Sequence, residues 1–114
     1  MDPKTRLHLM DMLSFARDAQ SFLGALDAQA LAANREKLFA VSRAVELVGE
    51  AACRVRDEDR AQLPDIPWNK AIGMRNRIVH GYHAVDPDIL VSTIRNHLPA
   101  LTETLERAIE ELNS

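Results

Sequence analysis

Cysteine, aromatic residues, glycine and proline are all scarce in this chain of 114 residues. The single cysteine, Cys53, excludes an internal disulfide framework and any zinc site built from several cysteines. Four glycines, five prolines and 4% aromatic residues are too few for a sandwich of short strands joined by tight turns. These scarcities favour a helical protein.

Long apolar runs and a strong excess of one charge are also missing. No stretch can span a bilayer and the N-terminus lacks the apolar core of a signal peptide, so we expect a cytosolic protein with no membrane partner. The formal net charge of −3 gives no overall positive field, and any contact with RNA must therefore come from a local patch. The length predicts one domain covering residues 1–114.

Apolar residues instead recur at helical spacing in long segments. The first segment is capped by Asp2-Pro3 and closes at Gly24, and Asp27 caps a short turn before Asn34 begins the next long helix. The last long segment starts at Asp86-Pro87. Together with the helix that carries the motif described below, these segments predict an all-α, antiparallel up-and-down bundle of four main helices.

The helix that begins at Asn34 has the most regular apolar seam. Ala44, Leu47 and Ala51 make this seam wider than one partner helix needs, which either a central position in the bundle or a second subunit would explain. The seam itself consists of Leu38, Val41, Val45, Val48, Ala52 and Val55.

Proline and charge predict where the remaining segments bend. Residues 56–65 are charged and aperiodic, which is typical of a connector. Two prolines then hold the chain extended before Trp68, whose ring we expect to anchor the next helix by burial in the core, with base stacking as the alternative. Pro99 falls inside the last apolar stripe and predicts a kink near Arg95 rather than a full stop.

Polar groups of complementary chemistry gather in the run Arg75-Asn76-Arg77-Ile78-Val79-His80-Gly81-Tyr82. On a helix ended by Gly81, Asn76 and His80 share a face, and Arg75 lies about 100° away. Histidine exchanges protons near neutral pH, and arginine matches phosphate oxygens with a fork of donors. The cluster suits phosphodiester chemistry, although a solvated helix end with His80 stabilised by the helix dipole is an alternative.

Acidic residues and other histidines leave further possibilities open. Glu46 and Glu50 share a helix face, so either they are surface charges, with Glu50 paired to Arg54, or one of them orients a donor in the sector of Arg75 and His80. The sequence does not decide which of the two acids faces that sector. The other histidines have no partner at metal-ligand spacing, and we expect neither a metal nor a cofactor.

The motif and its surroundings resemble the HEPN superfamily, and within it the HepT-like toxins. The matching motif is Arg75 followed by Asn76, then His80 after four residues between it and the arginine, and then Tyr82 after one further residue. The blocks Val48-Gly49-Glu50-Ala51-Ala52, Ile66-Pro67-Trp68, Gly73-Met74-Arg75-Asn76 and Val79-His80-Gly81-Tyr82 follow in the family's order.

This resemblance implies a homodimeric, metal-independent endoribonuclease that is the toxin of a toxin–antitoxin pair. Its partner would be a nucleotidyltransferase antitoxin of the MntA type, which transfers AMP to the motif tyrosine, here Tyr82. Arg75 and His80 would be catalytic, with Asn76 and Glu50 in support. Arg75 would hold the scissile phosphate of RNA. His80 would act as general base on the ribose 2′-OH or as general acid on the leaving oxygen.

Two readings from other classes use the same residues. In one, the chain is a non-catalytic adaptor that binds a nucleotide or presents its nucleotidyltransferase partner, since Arg75 and His80 can bind phosphate without cleaving RNA. In the other, the chain is a structural bundle whose polar helix end has no chemical role. The sequence does not identify the RNA, the cleavage site or the stoichiometry with an antitoxin.

Overall fold

The computed structural model describes residues 1–79 and 85–114, with the side chains of residues 76–79 left aside. The described part folds into helices, which confirms the all-α prediction. The bounds are α1 Pro3–Leu23, α2 Ala28–Ala33, α3 Arg35–Arg54, α4 Asp57–Gln62, α5 Trp68–Val79, α6 Pro87–Asn96 and α7 Leu98–Asn113. None of the helices in this part is long and apolar enough to cross a membrane.

Local capping chemistry sets most of these boundaries. The side chains of Asp2, Asp27, Asn34 and Asp86 each accept a hydrogen bond from a backbone N–H group two or three residues later, as expected of N-caps. Gly24 ends α1 with a φ of +56°, a conformation that glycine adopts without a steric penalty. The starts of three long helices and the end of α1 were therefore predicted correctly from the sequence.

Neighbouring helices run antiparallel around α3. The ammonium of Lys37, at the start of α3, donates to the carbonyl of Phe22 at the end of α1, at a distance of 3.0 Å. At the other end of the bundle Arg6 of α1 donates to the side chain of Asn113, the last residue of α7. The beginning of α1 thus lies beside the end of α7, as an up-and-down bundle requires.

The core is a single apolar cluster with α3 at its centre. Helix α3 packs against α1 and α5 and also contacts α2 and α6. Ala44 and Ala51 are only 4% and 2% exposed, so a central position in the bundle accounts for these two residues of the wide seam, whereas Leu47 stays partly exposed. The largest side chains with almost no exposure are Leu9, Met12, Leu23, Leu31, Val41, Val45, Val48, Val55, Leu90, Leu98, Leu101 and Leu105.

The predicted connector after α3 contains the short helix α4, which the sequence analysis missed. Its first turn is acidic, and Arg60 lies in its last turn, so its charges complement the helix dipole. Six residues are too few for an apolar period to show. Asp59 of this helix is fully buried and accepts hydrogen bonds from the Thr5 hydroxyl and, at 3.1 Å, from the Asp2 N–H group. Helix α4 therefore fastens the start of α1.

The last apolar stripe is divided between two helices instead of following one kinked helix. Helix α6 ends at Asn96 and α7 begins at Leu98, with His97 between them. Pro99 has no backbone N–H, so the helical ladder cannot continue through it, and Pro99 occupies the first turn of α7. The break therefore falls two residues later than the predicted kink near Arg95, and it exposes part of His97.

Helices α3 and α5 lie in close contact at Gly49. A Cβ atom at this position would lie 2.6 Å from the Cβ of Arg75, 2.7 Å from its backbone nitrogen and 3.1 Å from the carbonyl oxygen of Ala71. Two of these three neighbours are backbone atoms, which cannot move without displacing α5. Gly49 is therefore required by the spacing of the two helices.

We predict that Asp59 makes the stability of the protein sensitive to acid. The Thr5 hydroxyl, aided by the Asp2 N–H group and Arg56 and opposed by burial, holds the pKa of Asp59 below its ordinary value of 3.8. A group with a lowered pKa stabilises the fold above its unfolded pKa, and this stability is lost as the pH falls through the folded value. Thermal unfolding followed by circular dichroism should show the loss below about pH 4.

Asp59→Asn should lower the Tm at neutral pH and should reduce the fall of Tm in acid. The amide oxygen can take the place of the carboxylate oxygen that accepts from Thr5 and Asp2, but the new NH₂ group then points at the guanidinium of Arg56. The matched control is Asp57→Asn on the same helix, since the Asp57 side chain is 93% exposed. Equal Tm values for the two variants at pH 7 would show that the buried contacts of Asp59 do not stabilise α4.

We also predict that Gly49→Ala destabilises the protein by about 1–3 kcal/mol, although alanine favours helices more than glycine does. The added methyl group would force α5 away from α3. Gly73→Ala in α5 is the matched control, because no atom of the described residues lies within 4 Å of the position of its Cβ, and it should instead stabilise the fold by about 1 kcal/mol. Urea denaturation measures both effects, and a Gly49→Ala protein as stable as the parent would contradict the close contact.

Candidate functional site

The start of α5, the helix that carries the motif, is fixed against the end of α3 through Arg60. The guanidinium of Arg60 donates to the carbonyls of Ala52 and Cys53 in the last turn of α3, both at 3.2 Å. The same guanidinium lies 5.9 Å from the centre of the Trp68 ring, within the range of a cation–π contact. Arginine at this point both satisfies carbonyls at the helix end and holds the first residue of α5.

Trp68 anchors the entry to α5, as predicted, but its ring is only partly buried. Its indole N–H donates to the carbonyl of Leu63 at 3.0 Å, closing the turn that contains the two prolines. The ring packs on the edge of the core, where its polar atom still finds a partner. This hydrogen bond and the contact with Arg60 orient the indole, so that the turn and α5 are held together.

Helix α5 then runs back along α3 in the opposite direction. Trp68 lies beside the end of α3 through Arg60, and Arg75, seven residues later, lies against Gly49 in the middle of α3. At 1.5 Å per residue this advance is about 10 Å along the axis. The turn after Arg75 therefore proceeds towards the part of α3 that contains Glu46.

The side chain of Arg75 is exposed although its backbone is in tight contact with α3. Its Nη1 atom lies 3.9 Å from the sulfur of Cys53, which is half-buried one turn further along α3. The backbone and Cβ of Arg75 are therefore fixed, while its guanidinium stays accessible to an anion from solvent.

The remaining motif residues are covered unequally by the structure. The backbone of Asn76 continues α5 one residue after Arg75, and α5 is described up to Val79. His80, Tyr82 and the predicted helix end at Gly81 lie outside the described residues, as does the side chain of Asn76. The convergence of Arg75, Asn76, His80 and Tyr82 on one sector stays a prediction.

Glu46 and Glu50 are joined by a basic residue that the sequence analysis did not consider. Nη1 of Arg43 lies 2.8 Å from a carboxylate oxygen of Glu46 and 3.3 Å from one of Glu50. Glu50 therefore pairs with Arg43, and the predicted pair with Arg54 is not among the ion pairs of the described residues. Because residues 43, 46 and 50 lie three, four and seven positions apart, they share one helix face.

The geometry separates the roles of the two acids. Glu46 precedes Gly49 by three residues and lies on the turn towards which α5 proceeds, whereas Glu50 lies about 100° round the helix from Gly49. Both side chains are partly buried, with 25% and 29% exposure, and both pair with Arg43. Among the described residues the Arg75 side chain contacts Cys53 and not Glu50, so the supporting role of Glu50 stays a prediction.

Two further residues contribute to the site without having been assigned to it. Gly49 lay inside a block that the sequence analysis quoted, and Cys53 was considered there only for the disulfides and zinc sites that a single cysteine excludes. The sequence did show that these two residues share one face of α3, because positions 49 and 53 are four apart. What the sequence lacked was the direction of that face, which the structure turns towards Arg75.

The charge of the site is local and nearly balanced. Arg75 and Arg43 are exposed cations, and the second is already engaged by two carboxylates. Within residues 1–79 and 85–114 no group of three or more histidine, cysteine and acidic side chains is gathered as a metal site would need. Chemically, the described part of the site offers a held guanidinium for an anionic group.

Comparisons with known proteins give relatives over most of this length. A family model described as ribonuclease HepT-like matches residues 12–108. "Putative RNase MJ1380" of Methanocaldococcus jannaschii is 30% identical over 98 residues, which cover 86% of this chain and 90% of the relative. "Putative RNase MJ0125" of the same organism is 30% identical over 104 residues, covering 91% and 90%. "Probable ribonuclease HepT" of Thermococcus cleftensis is 32% identical over 74 residues, covering 65% and 67%.

No solved structure matches this chain significantly. The family match begins within α1 and ends within α7, so it includes the crossing at Gly49 and the whole motif from Arg75 to Tyr82. Two relatives reach 30% identity along nearly their full length. The chain belongs to the ribonuclease HepT-like family, within the HEPN superfamily.

Proposed function

We propose that the protein is a metal-independent endoribonuclease toxin, neutralised by a nucleotidyltransferase antitoxin that attaches AMP to Tyr82. The observation that carries the proposal is that the family match spans the entire motif while Arg75 is both exposed and held against α3. The relatives' names supply the reaction class, and the residues of this chain supply a way to perform it.

Arg75 is the phosphate-binding residue in this proposal. Its guanidinium donates to the non-bridging oxygens of the scissile phosphodiester and stabilises the charge that gathers on them in the transition state. The close packing of its backbone on Gly49 limits how far the charge can retreat when RNA approaches. The contact with Cys53 Sγ is weak enough to be exchanged for a phosphate oxygen.

His80 carries the proton transfers. It acts either as general base, accepting the proton of the ribose 2′-OH whose oxygen attacks the adjacent phosphorus, or as general acid, protonating the departing 5′-oxygen, and water exchanges the other proton. The products are a 2′,3′-cyclic phosphate and a free 5′-hydroxyl, and no metal ion or cofactor is consumed. Asn76 positions the phosphate or the imidazole through its amide. The reaction needs the 2′-OH group, so RNA is cut and DNA is not.

The acidic pair on α3 is compatible with an RNA substrate because Arg43 offsets it. Two uncompensated carboxylates beside a phosphate would repel it, whereas Arg43 binds Glu46 and Glu50 together and leaves one net negative charge. Since all three groups are partly exposed, their effect on binding is screened by salt. In this proposal Glu50 acts only as part of that ion-pair group.

Regulation follows from the chemistry of the tyrosine. The phenol oxygen of Tyr82 attacks the α-phosphorus of ATP bound to the antitoxin, pyrophosphate leaves, and the phenol proton passes to solvent. The attached AMP brings negative charge within two residues of His80 and excludes the phosphates of RNA by repulsion and by volume. A homodimer, in which the two motifs face one cleft, is part of the same proposal.

We predict that purified protein cleaves RNA in the presence of EDTA and that Arg75→Ala and His80→Ala each lower the cleavage rate by at least about 100-fold, the usual contribution of general acid–base and charge-stabilising groups. The rate is measured on a labelled single-stranded RNA, together with the terminal group of each product. A single 2′-deoxynucleotide 5′ to the cleavage site should block cutting there.

The matched controls replace the same residue types away from the motif. Arg54→Ala removes an exposed arginine at the end of α3, and His8→Ala removes a histidine of α1, and neither should change the rate by more than about twofold. Intact RNA with wild-type protein, or equal cutting by the Arg75 and His80 variants, would reject the nuclease and leave the non-catalytic adaptor as the surviving reading.

We further predict that co-expression with a MntA-like nucleotidyltransferase adds whole AMP units to the protein and that Tyr82→Phe abolishes the addition. Intact-mass spectrometry measures the increment, and the modified protein should lose its RNA-cleaving activity. Tyr82 is the single tyrosine of the chain, so the variant tests the residue and not only the reaction. An AMP increment that persists in Tyr82→Phe would assign the modification to another residue.

A further inference from the structure

A second recess lies between α5 and the junction of α6 with α7. It consists of two neighbouring cavities of about 290 Å³ and 270 Å³, which share Lys70, Met74 and His97. We call it the Lys70–His97 cleft. It is lined by the face of α5 that includes Lys70 and Gly73, whereas Ala71 and Arg75 pack on α3. The cleft is therefore distinct from the proposed catalytic arginine, although both are built on one helix.

Gly73 gives this cleft its openness. No atom of the described residues lies within 4 Å of the position that its Cβ would occupy. Glycine inside a helix is unfavourable relative to alanine, since the unfolded chain gains entropy. At Gly49 that disadvantage is explained by the helix crossing, but no packing in the described structure explains it at Gly73. A missing side chain beside an open cavity lets a ligand approach the helix backbone closely.

Two basic side chains stand where the two cavities join. Lys70 is exposed, and the imidazole of His97 is half-buried at the break between α6 and α7. Neither side chain forms a hydrogen bond or an ion pair with another described residue. A lysine and a histidine that line the same two cavities, with no hydrogen bond or ion pair from either side chain to another described residue, are suited to an anionic group, above all a phosphate.

The walls of the cleft differ in character around these two groups. Met74 and Leu101 lie at the bottom of the cleft, but they are only 4% and 2% exposed and so offer a ligand little apolar surface. Asn69 borders the first cavity and offers an amide that both donates and accepts. Asp65 and Thr104 border the second cavity and present oxygens that accept from hydroxyl groups.

We propose that the Lys70–His97 cleft binds a nucleoside monophosphate unit. The phosphate lies between Lys70 and His97, the base packs in the open space over the backbone of Gly73, and the ribose hydroxyls donate towards Asp65. Each cavity is near the lower limit of ordinary small-ligand pockets, so one nucleotide is the appropriate size. An anion without a base would leave the opening at Gly73 unused.

The unit has two possible sources, a free mononucleotide and one nucleotide of an RNA strand. The shared chemistry is a phosphate next to a ribose and an aromatic base. Binding here does not depend on the proposed nuclease activity, because a protein that cuts no RNA can still bind a nucleotide in this cleft. A negative result for the nuclease activity therefore does not reject nucleotide binding in the cleft, and a negative result for the cleft does not reject the nuclease.

The first test is a titration of ¹⁵N-labelled full-length protein with AMP, in which NMR measures the shifts of the backbone amide signals. AMP should shift the amides of Asn69, Gly73, Asn96 and Ala100, and its Kd should be at least about tenfold lower than that of adenosine or of inorganic phosphate, because each of these lacks one of the two contacts. Lys70→Ala should raise the Kd for AMP about tenfold. The control Lys4→Ala, an exposed lysine in the first turn of α1, should not change it.

The second test uses Gly73→Ala, for which the proposal requires effects of opposite sign. The added methyl group should raise the Tm by a few degrees, about 3–6 °C, and should weaken AMP binding about tenfold by filling the space over the helix backbone. A variant that is more stable and binds less well cannot owe the weaker binding to misfolding. His97→Gln, which keeps a polar side chain but removes the imidazole, should raise the Kd less than Lys70→Ala does.

The third measurement separates the two sources. A short RNA added to the non-cleaving Arg75→Ala protein should displace AMP if the cleft holds part of an RNA strand, and should leave AMP bound if it holds a free nucleotide. Both results keep the phosphate site. The proposed site is wrong if AMP shifts no amide signals, if the shifted amides lie outside the cleft, or if the same shifts persist in Lys70→Ala. The proposed site is also wrong if Gly73→Ala leaves the AMP affinity unchanged but alters the oligomeric state. In that case the face of α5 around Gly73 contacts a second copy of the chain.

Discussion

The backbone contact between α3 and α5 at Gly49 is the constraint on which the site depends. With only a hydrogen at this position, the Cβ and the nitrogen of Arg75 come within van der Waals reach of α3. Two helices that touch through their backbones have little freedom to slide or tilt, because any movement creates either a clash or a void. The positions of the Arg75 backbone and Cβ are thus set by this packing, while the guanidinium stays in solvent.

The rest of the fold keeps that contact in register. Arg60 ties the carbonyls at the end of α3 to the Trp68 ring at the start of α5, so α5 is fixed at its first residue and again at its eighth. Helix α4, which carries Arg60, is itself held by the buried carboxylate of Asp59 and its bond to Thr5 of α1. A continuous path of polar contacts therefore connects the N-terminus of the chain to the motif helix. None of these contacts is long-range electrostatics, and all of them operate over a few ångströms.

Much of this architecture could be predicted from the sequence, because it is local. The caps at Asp2, Asp27, Asn34 and Asp86 each act within three residues, and the apolar stripes have a period that the sequence displays directly. Helix α4 was missed because six charged residues have no such period, and its stability comes from a partner 54 residues away. The break at His97 was predicted two residues too early, since the effect of Pro99 on the ladder depends on how the preceding turn packs.

The site was predictable to a smaller extent, for a physical reason. Residue types at helical spacing identify which side chains share a face, and in that way Arg75 was found from the sequence. The direction of a face is decided by tertiary packing, so the sequence could not show that Gly49 and Cys53 face Arg75 or that Arg43 binds both glutamates. The placement of His80 and Tyr82 beside Arg75 stays a prediction that rests on spacing and on the family.

The two helical glycines that border α5 show how the same residue can serve different ends. Gly49 and Gly73 both sacrifice helix propensity, by about the same amount. At Gly49 the loss is offset by the packing of two backbones, so natural packing forces alone account for it. At Gly73 the described structure offers no such offset, and the residue borders a recess that holds an ammonium and an imidazole without internal partners. One face of α5 is thus packed on α3 beneath Arg75, and another is left open by Gly73 beside Lys70.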